Sequence, residues 1–166
     1  MKLIYLPHYK ENKHNELQDF IPPLKNMDID DAGIDMRAAI IGDIKLAPGE
    51  DAVIPSGVKI HIGSDETHNA FVQMGLYGCI LPRSGLGFKH YLRLANTAGV
   101  IDANYQGEIM IKIRNEGDDT LHIARGDRIC QIIFQYYRKG VQFNVVDKFD
   151  DETARGAKGF GASGVS

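Results

Sequence analysis

Pro82-Arg83-Ser84-Gly85-Leu86 joins a guanidinium, a hydroxyl and a glycine whose backbone a ligand can approach closely. A helix starting at Ser84 would point its free N–H groups at the same place, which makes an anion site. The plainer reading is a helix cap with a surface arginine. Gly99-Val100-Ile101-Asp102-Ala103-Asn104-Tyr105-Gln106-Gly107-Glu108 has the form of a hairpin with a carboxylate and an aromatic ring at its tip. The carboxylate suits a general base and the ring suits a flat ligand, although Asp and Asn also favour turns on local grounds alone. Asp31-Ala32-Gly33-Ile34-Asp35-Met36-Arg37-Ala38 puts Asp35 at a strand start among small residues. Gly126-Asp127-Arg128-Ile129-Cys130-Gln131 runs from a turn into a strand and leaves the Gln131 amide among apolar neighbours. An amide in such a place needs a partner, structural or ligand.

Other patterns fail their context. Gly159-Phe160-Gly161-Ala162-Ser163-Gly164 matches the dinucleotide-binding spacing, but no helix follows it. The six histidines show no metal-ligand spacing, and Cys79 and Cys130 sit in apolar runs as buried free thiols. Tyr136-Tyr137-Arg138-Lys139 has the chemistry to stack on a nucleic acid strand. A net charge of −3 argues against a general nucleic-acid binder, while a nucleotide substrate needs only a few well-placed cations. No Ser–His or Cys–His pairing offers a covalent route.

These groups need a scaffold, and the chain supplies short strands. With 166 residues it suits a single core, and its 18 glycines with no long helical period point to strands and turns. Glu108 to Arg114 places three isoleucines on one face by two-residue alternation, and Val58 to Ile62 alternates likewise. Phe71 to Met74, Gly78 to Leu81, Ile129 to Tyr137 and Val141 to Val146 are further predicted strands. Turn clusters at Ala47-Pro48-Gly49-Glu50, Asn115 to Asp119 and Arg125-Gly126-Asp127 separate them. One short helix is predicted from Ser84 towards Tyr91, weakened by Gly85 and Gly87. The expected fold is all-β, a compact sandwich or barrel.

Glu11 to Asp31 is polar, carries Pro22-Pro23 and reads as a surface excursion. Lys148 to Ser166 is charged and then rich in glycine, alanine and serine, too poor in apolar surface to order by itself. The expected division is therefore a β domain over 1–147 and a flexible arm over 148–166. No apolar run approaches the roughly 20 residues of a membrane helix. The N-terminus lacks a secretory signal, so a cytoplasmic protein is expected.

Taken in order, the segments resemble the five motifs of the trimeric dUTP pyrophosphatase family. They are Ala32 to Ala39, Pro82 to Leu86, Asn96 through Gly99 to Glu108, Gly126 to Gln131, and Arg155-Gly156-Ala157-Lys158-Gly159-Phe160-Gly161-Ala162-Ser163-Gly164. The resemblance spans nearly all of the chain from Asp31 onward. It implies a jelly-roll-like β-barrel subunit of the dUTPase-like β-clip kind, and a homotrimer whose three sites each draw on all three chains. It implies that Asp102 orients and deprotonates the water that attacks the α-phosphorus of dUTP. Tyr105 would pack on the deoxyribose and reject a 2′-hydroxyl. Asn96, Gly99, Val100 and Ile101 would read the uracil edge and exclude a 5-methyl group. Arg83, Ser84, Gly85 and Gln131 would hold the phosphates. Asp35 would act on the water shell of Mg2+ carried by the triphosphate. Arg155 and Phe160, from the arm, would clamp the γ-phosphate and stack on uracil, closing over bound substrate.

The fifth motif departs from the family pattern at Lys158, commonly glycine, and at Ala162-Ser163, commonly serine-threonine. Two rival functions share parts of this reading. A dCTP deaminase of the same fold would need a glutamate in the third-motif region and a second serine after Arg83-Ser84, where this chain has Asp102 and Gly85. A dUTP-sensing or partner-binding regulatory protein would use the insertions at 11–31 and 61–70 to hold a protein partner, but would not need Asp102 with Arg155 and Phe160.

Overall fold

The computed structural model describes residues 1–10, 21–24, 30–63, 73–151, 153–157 and 159. Phe160, Lys158, Phe71 and Val72, most of the 11–31 segment and residues 64–70 lie outside that set.

The chain opens with β1 (Lys2–Tyr5) and the single turn α1 (Pro7–Lys10), then β2 (Ile34–Arg37), β3 (Ile44–Leu46) and β4 (Asp51–His61). It continues through β5 (Met74–Pro82), α2 (Ser84–His90), β6 (Leu92–Leu94), β7 (Gly99–Ile101), β8 (Glu108–Asn115), β9 (Leu121–Ile123) and β10 (Arg128–Arg138). Two four-stranded sheets, in the orders β1-β4-β8-β6 and β2-β10-β5-β7, are joined by the small pair β3-β9. All the pairings are antiparallel. The all-β expectation is borne out.

β8 shows why the strands form where they do. Ile109, Ile111 and Ile113 are buried, while Met110, Lys112 and Arg114 face outward. The pleat turns a two-residue sequence period into two chemically distinct faces. The isoleucine face meets Met36, Ile54, Val58, Ile129 and Ile132, all at 2% exposure or less, to form the core between the sheets. Asn115, also fully buried, ends the strand by donating to the Leu46 and Asp119 carbonyls and accepting the Gly117 N–H. A buried amide satisfied on all these sides fixes the chain's exit.

The predicted helix is present as α2, and Tyr91 closes it in the left-handed conformation at φ 51. Both cysteines are free and buried. The alternating segment Val141 to Val146 is not a strand: it is exposed throughout, with Val145 93% and Phe143 89% open. Its alternation would suit a half-buried strand, but pairing needs a second edge, and no described strand of this chain runs beside it.

Candidate active site

β2, β10 and β5 are neighbours, and one end of their sheet gathers the polar groups of three motifs. Gln131 on β10 stands opposite Asp35 on β2 and Leu81 on β5. Arg83 follows β5 directly and gives its Nε to Asp35 Oδ1 at 2.7 Å. Arg128 gives Nη1 to the other carboxylate oxygen at 3.1 Å. Gln131 donates Nε2 to the Pro82 carbonyl at 3.0 Å. Its Oε1 lies so near Gly33 that a Cβ there would stand 2.6 Å from it. The amide that the sequence left in search of a partner thus has a structural one.

Two arginines on one carboxylate leave this end of the sheet with net positive charge and pre-aimed donors, the arrangement that suits a phosphate chain. Ser84 and Gly85 open α2 beside them, and the space where a Gly85 side chain would stand is empty. Below, Cys130 is fully buried; burial first, and the Asp35 charge second, push its thiol up to about 12 against the opposing pull of Arg83. That thiol stays protonated and inert at neutral pH.

The second group lies on β7. Gly99 pairs with Ile80, and Ile101 with Gly78, so β7 runs back along β5 away from Arg83. A cavity of about 390 Å³ opens beside it, lined by Asn96, Gly99, Val100 and Ile101 with Ile80, Leu94 and Met110 among its other walls. The loop that presents Asn96 is tight: Thr97 donates to the Leu94 carbonyl at 3.0 Å and sits at φ 63. A β-branched residue in the left-handed region is strained, and strain of this kind gathers at functional sites.

Asp102 and Tyr105 follow at the end of β7. Asp102 is exposed, with no side-chain partner among the described residues. Its carbonyl accepts the Tyr105 N–H at 3.0 Å, and Tyr105 gives its hydroxyl to the Glu108 carbonyl at 2.8 Å. The turn therefore has defined geometry with a free carboxylate at its tip, but the segment is not the hairpin expected from the sequence: β7 pairs with β5 and β8 with β4 and β6, so the turn links two sheets instead of closing a pair of strands.

The two groups do not meet within one chain. Asp102 follows the residue opposite Gly78, whereas Arg83 follows Pro82, so roughly 15–20 Å of strand separates them at ~3.3 Å per residue. Arg155 lies in the exposed tail, where the Gly156 N–H bonds Thr153. Among the described residues no cluster of three or more His, Cys, Asp or Glu could cage a metal ion. No helix among them is long and apolar enough to cross a membrane.

Sequence reasoning missed Met110 and Arg128. Met110 was legible as the outward partner of the β8 isoleucines, since whatever faces away from the core must face something else. Arg128 carried no such signal, because its pairing with Asp35 depends on the register of β10 against β2.

Known proteins resemble this chain over most of its length. The dUTPase family profile matches residues 22–164. The deoxyuridine 5'-triphosphate nucleotidohydrolase of Tolumonas auensis is 44% identical over 133 residues, covering 80% of this chain and 81% of that one. The Escherichia coli counterpart gives the same 44% over 133 residues, with the same coverage of 80% and 81%. A solved Staphylococcus bacteriophage 80alpha dUTPase with a glycine-to-serine change and dUpNHpp matches with a TM-score of 0.69 at 26% identity, over 87% of this chain and 93% of that one. Another 80alpha dUTPase structure with dUpNHpp reaches a TM-score of 0.73 at 24% identity, over 99% and 98%, a likeness of fold.

Proposed function

The chain belongs to the dUTPase family, and on that premise we propose that it hydrolyses dUTP to dUMP and pyrophosphate by attack of a water on the α-phosphorus. The observation that carries this reading is the step from cavity to turn. Asn96 and Gly99 to Ile101 wall the cavity, the next residue along the chain is Asp102 with its free carboxylate, and Tyr105 stands three residues further on.

In this reading uracil enters the cavity, and the backbone of β7 reads its edge and excludes a 5-methyl group. Tyr105 lies against the deoxyribose where a 2′-hydroxyl would stand. Asp102 takes the proton of the attacking water as general base. Arg83, Ser84, Gly85 and Gln131 receive the phosphates, so that positioning and charge neutralisation rather than a covalent intermediate supply the rate.

Mg2+ fits as part of the substrate. The described residues offer no protein cage, and Asp35 already accepts from Arg83 and Arg128. A carboxylate has about four lone-pair sites, so Asp35 can still take hydrogen bonds from the water shell of an ion on the triphosphate. Such an ion would offset the charge that develops on the phosphates.

Because Asp102 and Arg83 stand apart within one chain, a homotrimer that brings one chain's Asp102 turn to another's arginine cluster completes the site. Phe88 at 85% and Val100 at 66% exposure are apolar surface of the kind an interface covers. The arm, 148–166, would bring Arg155 to the γ-phosphate and Phe160 to the uracil, beside a β domain of 1–147. We place the protein in the cytoplasm, with dUTP as its small-molecule partner. Sedimentation as a monomer, or an arm equally open to protease with and without dUpNHpp, would sink the trimer and the closing arm respectively.

The deciding experiment is pyrophosphate release from dUTP, dCTP, dTTP and UTP, with and without Mg2+. Fast release from dUTP alone, dependent on Mg2+, supports the reading. Ammonia release from dCTP would move the protein to deamination, and no turnover from a folded oligomer would leave a nucleotide-binding regulator.

A further inference from the structure

The ladder between β4 and β8 breaks beside the turn that carries Asp102 and Tyr105. Pro55 pairs with Met110 and Lys59 with Glu108, so four steps along β4 answer two along β8. The surplus forms a bulge around Gly57, whose φ of +69 suits glycine and whose Cβ, if present, would stand 2.7 Å from that of Ala39. Two bonds bind the bulged residue. Its carbonyl accepts the Leu6 N–H at 2.8 Å, and its N–H donates to Glu108 Oε1 at 2.8 Å.

The same Glu108 oxygen lies 2.8 Å from His8 Nε2, with the two side chains only 31% and 20% exposed. His8 is itself held from behind. Arg125 donates to the His8 and Tyr9 carbonyls at 2.8 and 3.2 Å, and the Tyr9 hydroxyl donates to the Pro22 carbonyl. The imidazole is therefore presented by an anchored turn and does not simply follow the carboxylate. Hydrogen bonds to a charged, partly buried oxygen are among the stronger ones available to a protein.

Glu108 is also the residue on which Tyr105 rests. The Tyr105 hydroxyl bonds the Glu108 carbonyl at 2.8 Å, and the ring covers Gly107 so closely that a Cβ there would collide with it. At the other end of the turn the Ala103 carbonyl accepts the Gly63 N–H at 3.0 Å. A shift of Glu108 must therefore be passed to the ring.

We propose that His8 and Glu108 are positioning residues: their hydrogen bond fixes the base of the Asp102–Tyr105 turn and thereby sets the preference for a 2′-deoxyribose over a ribose triphosphate. The consequence for specificity rests on the dUTP reading above, whereas the brace itself does not. Lys59 stands opposite Glu108 in the register, so the test must separate a lost hydrogen bond from an altered charge balance. His8→Ala removes the donor; His8→Gln keeps an N–H donor near the place of Nε2 and cannot take up a charge.

Two quantities are compared in the full chain: the ratio of kcat/KM for dUTP to that for UTP, and amide hydrogen exchange over residues 102–108 without nucleotide. His8→Ala is expected to lower the ratio about tenfold, the size of one hydrogen bond to a charged group, mainly by admitting UTP. It should also speed exchange across the turn by a similar factor, and His8→Gln should restore both. A lower melting temperature with ratio and exchange unchanged would make His8 a plain structural residue and overturn the proposal. Failure of His8→Gln to restore either quantity, or a loosened turn with an unchanged ratio, would overturn it too. Should the unaltered chain fail to hydrolyse dUTP, the functional reading falls, and hydrogen exchange alone decides the brace.

Discussion

The two polar regions of this sheet are built on opposite plans. At one end Asp35, Arg83 and Arg128 satisfy one another, and Gln131 is tied to the Pro82 carbonyl. At the other end Asp102 has no side-chain partner among the described residues, and its turn is shaped by backbone bonds, by Tyr105 and by the His8–Glu108 contact at its base. The paired region is set to receive charge without rearranging, because its donors are already aimed. The open region keeps a carboxylate free, and a carboxylate without a cation beside it holds a proton more readily. A base locked in an ion pair would be too weak to act, and loose arginines would lose entropy on every binding event.

The sharpest way to break this contrast is to remove the base alone. Asp102→Asn keeps shape and polarity while losing proton affinity, so turnover of dUTP should fall by roughly a hundredfold or more with binding largely kept. Single-turnover kinetics beside equilibrium binding of dUpNHpp would check it. A large loss of binding with turnover intact would mean that Asp102 holds substrate instead.

The paired region should answer differently. Arg83→Gln removes the guanidinium that serves Asp35 now and a phosphate in the proposed complex, and leaves Arg128 to hold Asp35 alone. We expect kcat/KM to fall about 10- to 100-fold, chiefly through KM, as for lost bonds to a charged group. A pure kcat effect would place Arg83 with the reacting atoms and erase the division of labour between the regions.

The contrast was only partly legible in the sequence. Strand β8 could be read directly, since the pleat converts its isoleucine alternation into a buried face. The helix after Pro82 was readable despite two glycines. Both depend on neighbours a few residues away. The Arg128–Asp35 bridge spans 93 residues and exists through a strand register that no local pattern encodes. The cavity wall at Met110 was half-read: the buried side of β8 drew attention, and its outward side was left unassigned. Val141 to Val146 failed for the opposite reason, being a good local pattern for which this chain offers no partner strand.

A smaller effect belongs to the arm. Phe160, which lies outside the described residues, is proposed to stack on the uracil. Phe160→Ala should then cost about 1–3 kcal/mol of substrate affinity, measured as a change in KM and in dUpNHpp binding. Unchanged constants would remove the arm from the open region and leave β7 and its cavity to recognise the base alone.

The smallest effect distinguishes the foundations of the two regions. Cys130 lies beneath the paired cluster, and its pKa is raised from 9.0 to about 12 by burial and by Asp35. Tyr9 lies against the Gly57 bulge beneath the Asp102 turn's base, and its pKa is raised from 10.0 to about 12 by burial and by Tyr5. Each group binds its proton more tightly when folded than when unfolded. Its contribution is therefore complete below the unfolded pKa and is lost as pH rises through the folded one. Between about pH 9 and 10 only the Cys130 contribution is being lost; above about pH 10 both are. Urea melts of the unaltered chain should show stability starting to decline near pH 9 and steepening past 10. Cys130→Ala should flatten the first part of that decline, even though it lowers stability overall by leaving a small cavity. Tyr9→Phe should flatten only the second. If Cys130→Ala leaves the slope between pH 9 and 10 unchanged, the thiol beneath the arginine cluster is not the group that titrates there, and the two foundations would have to be treated alike.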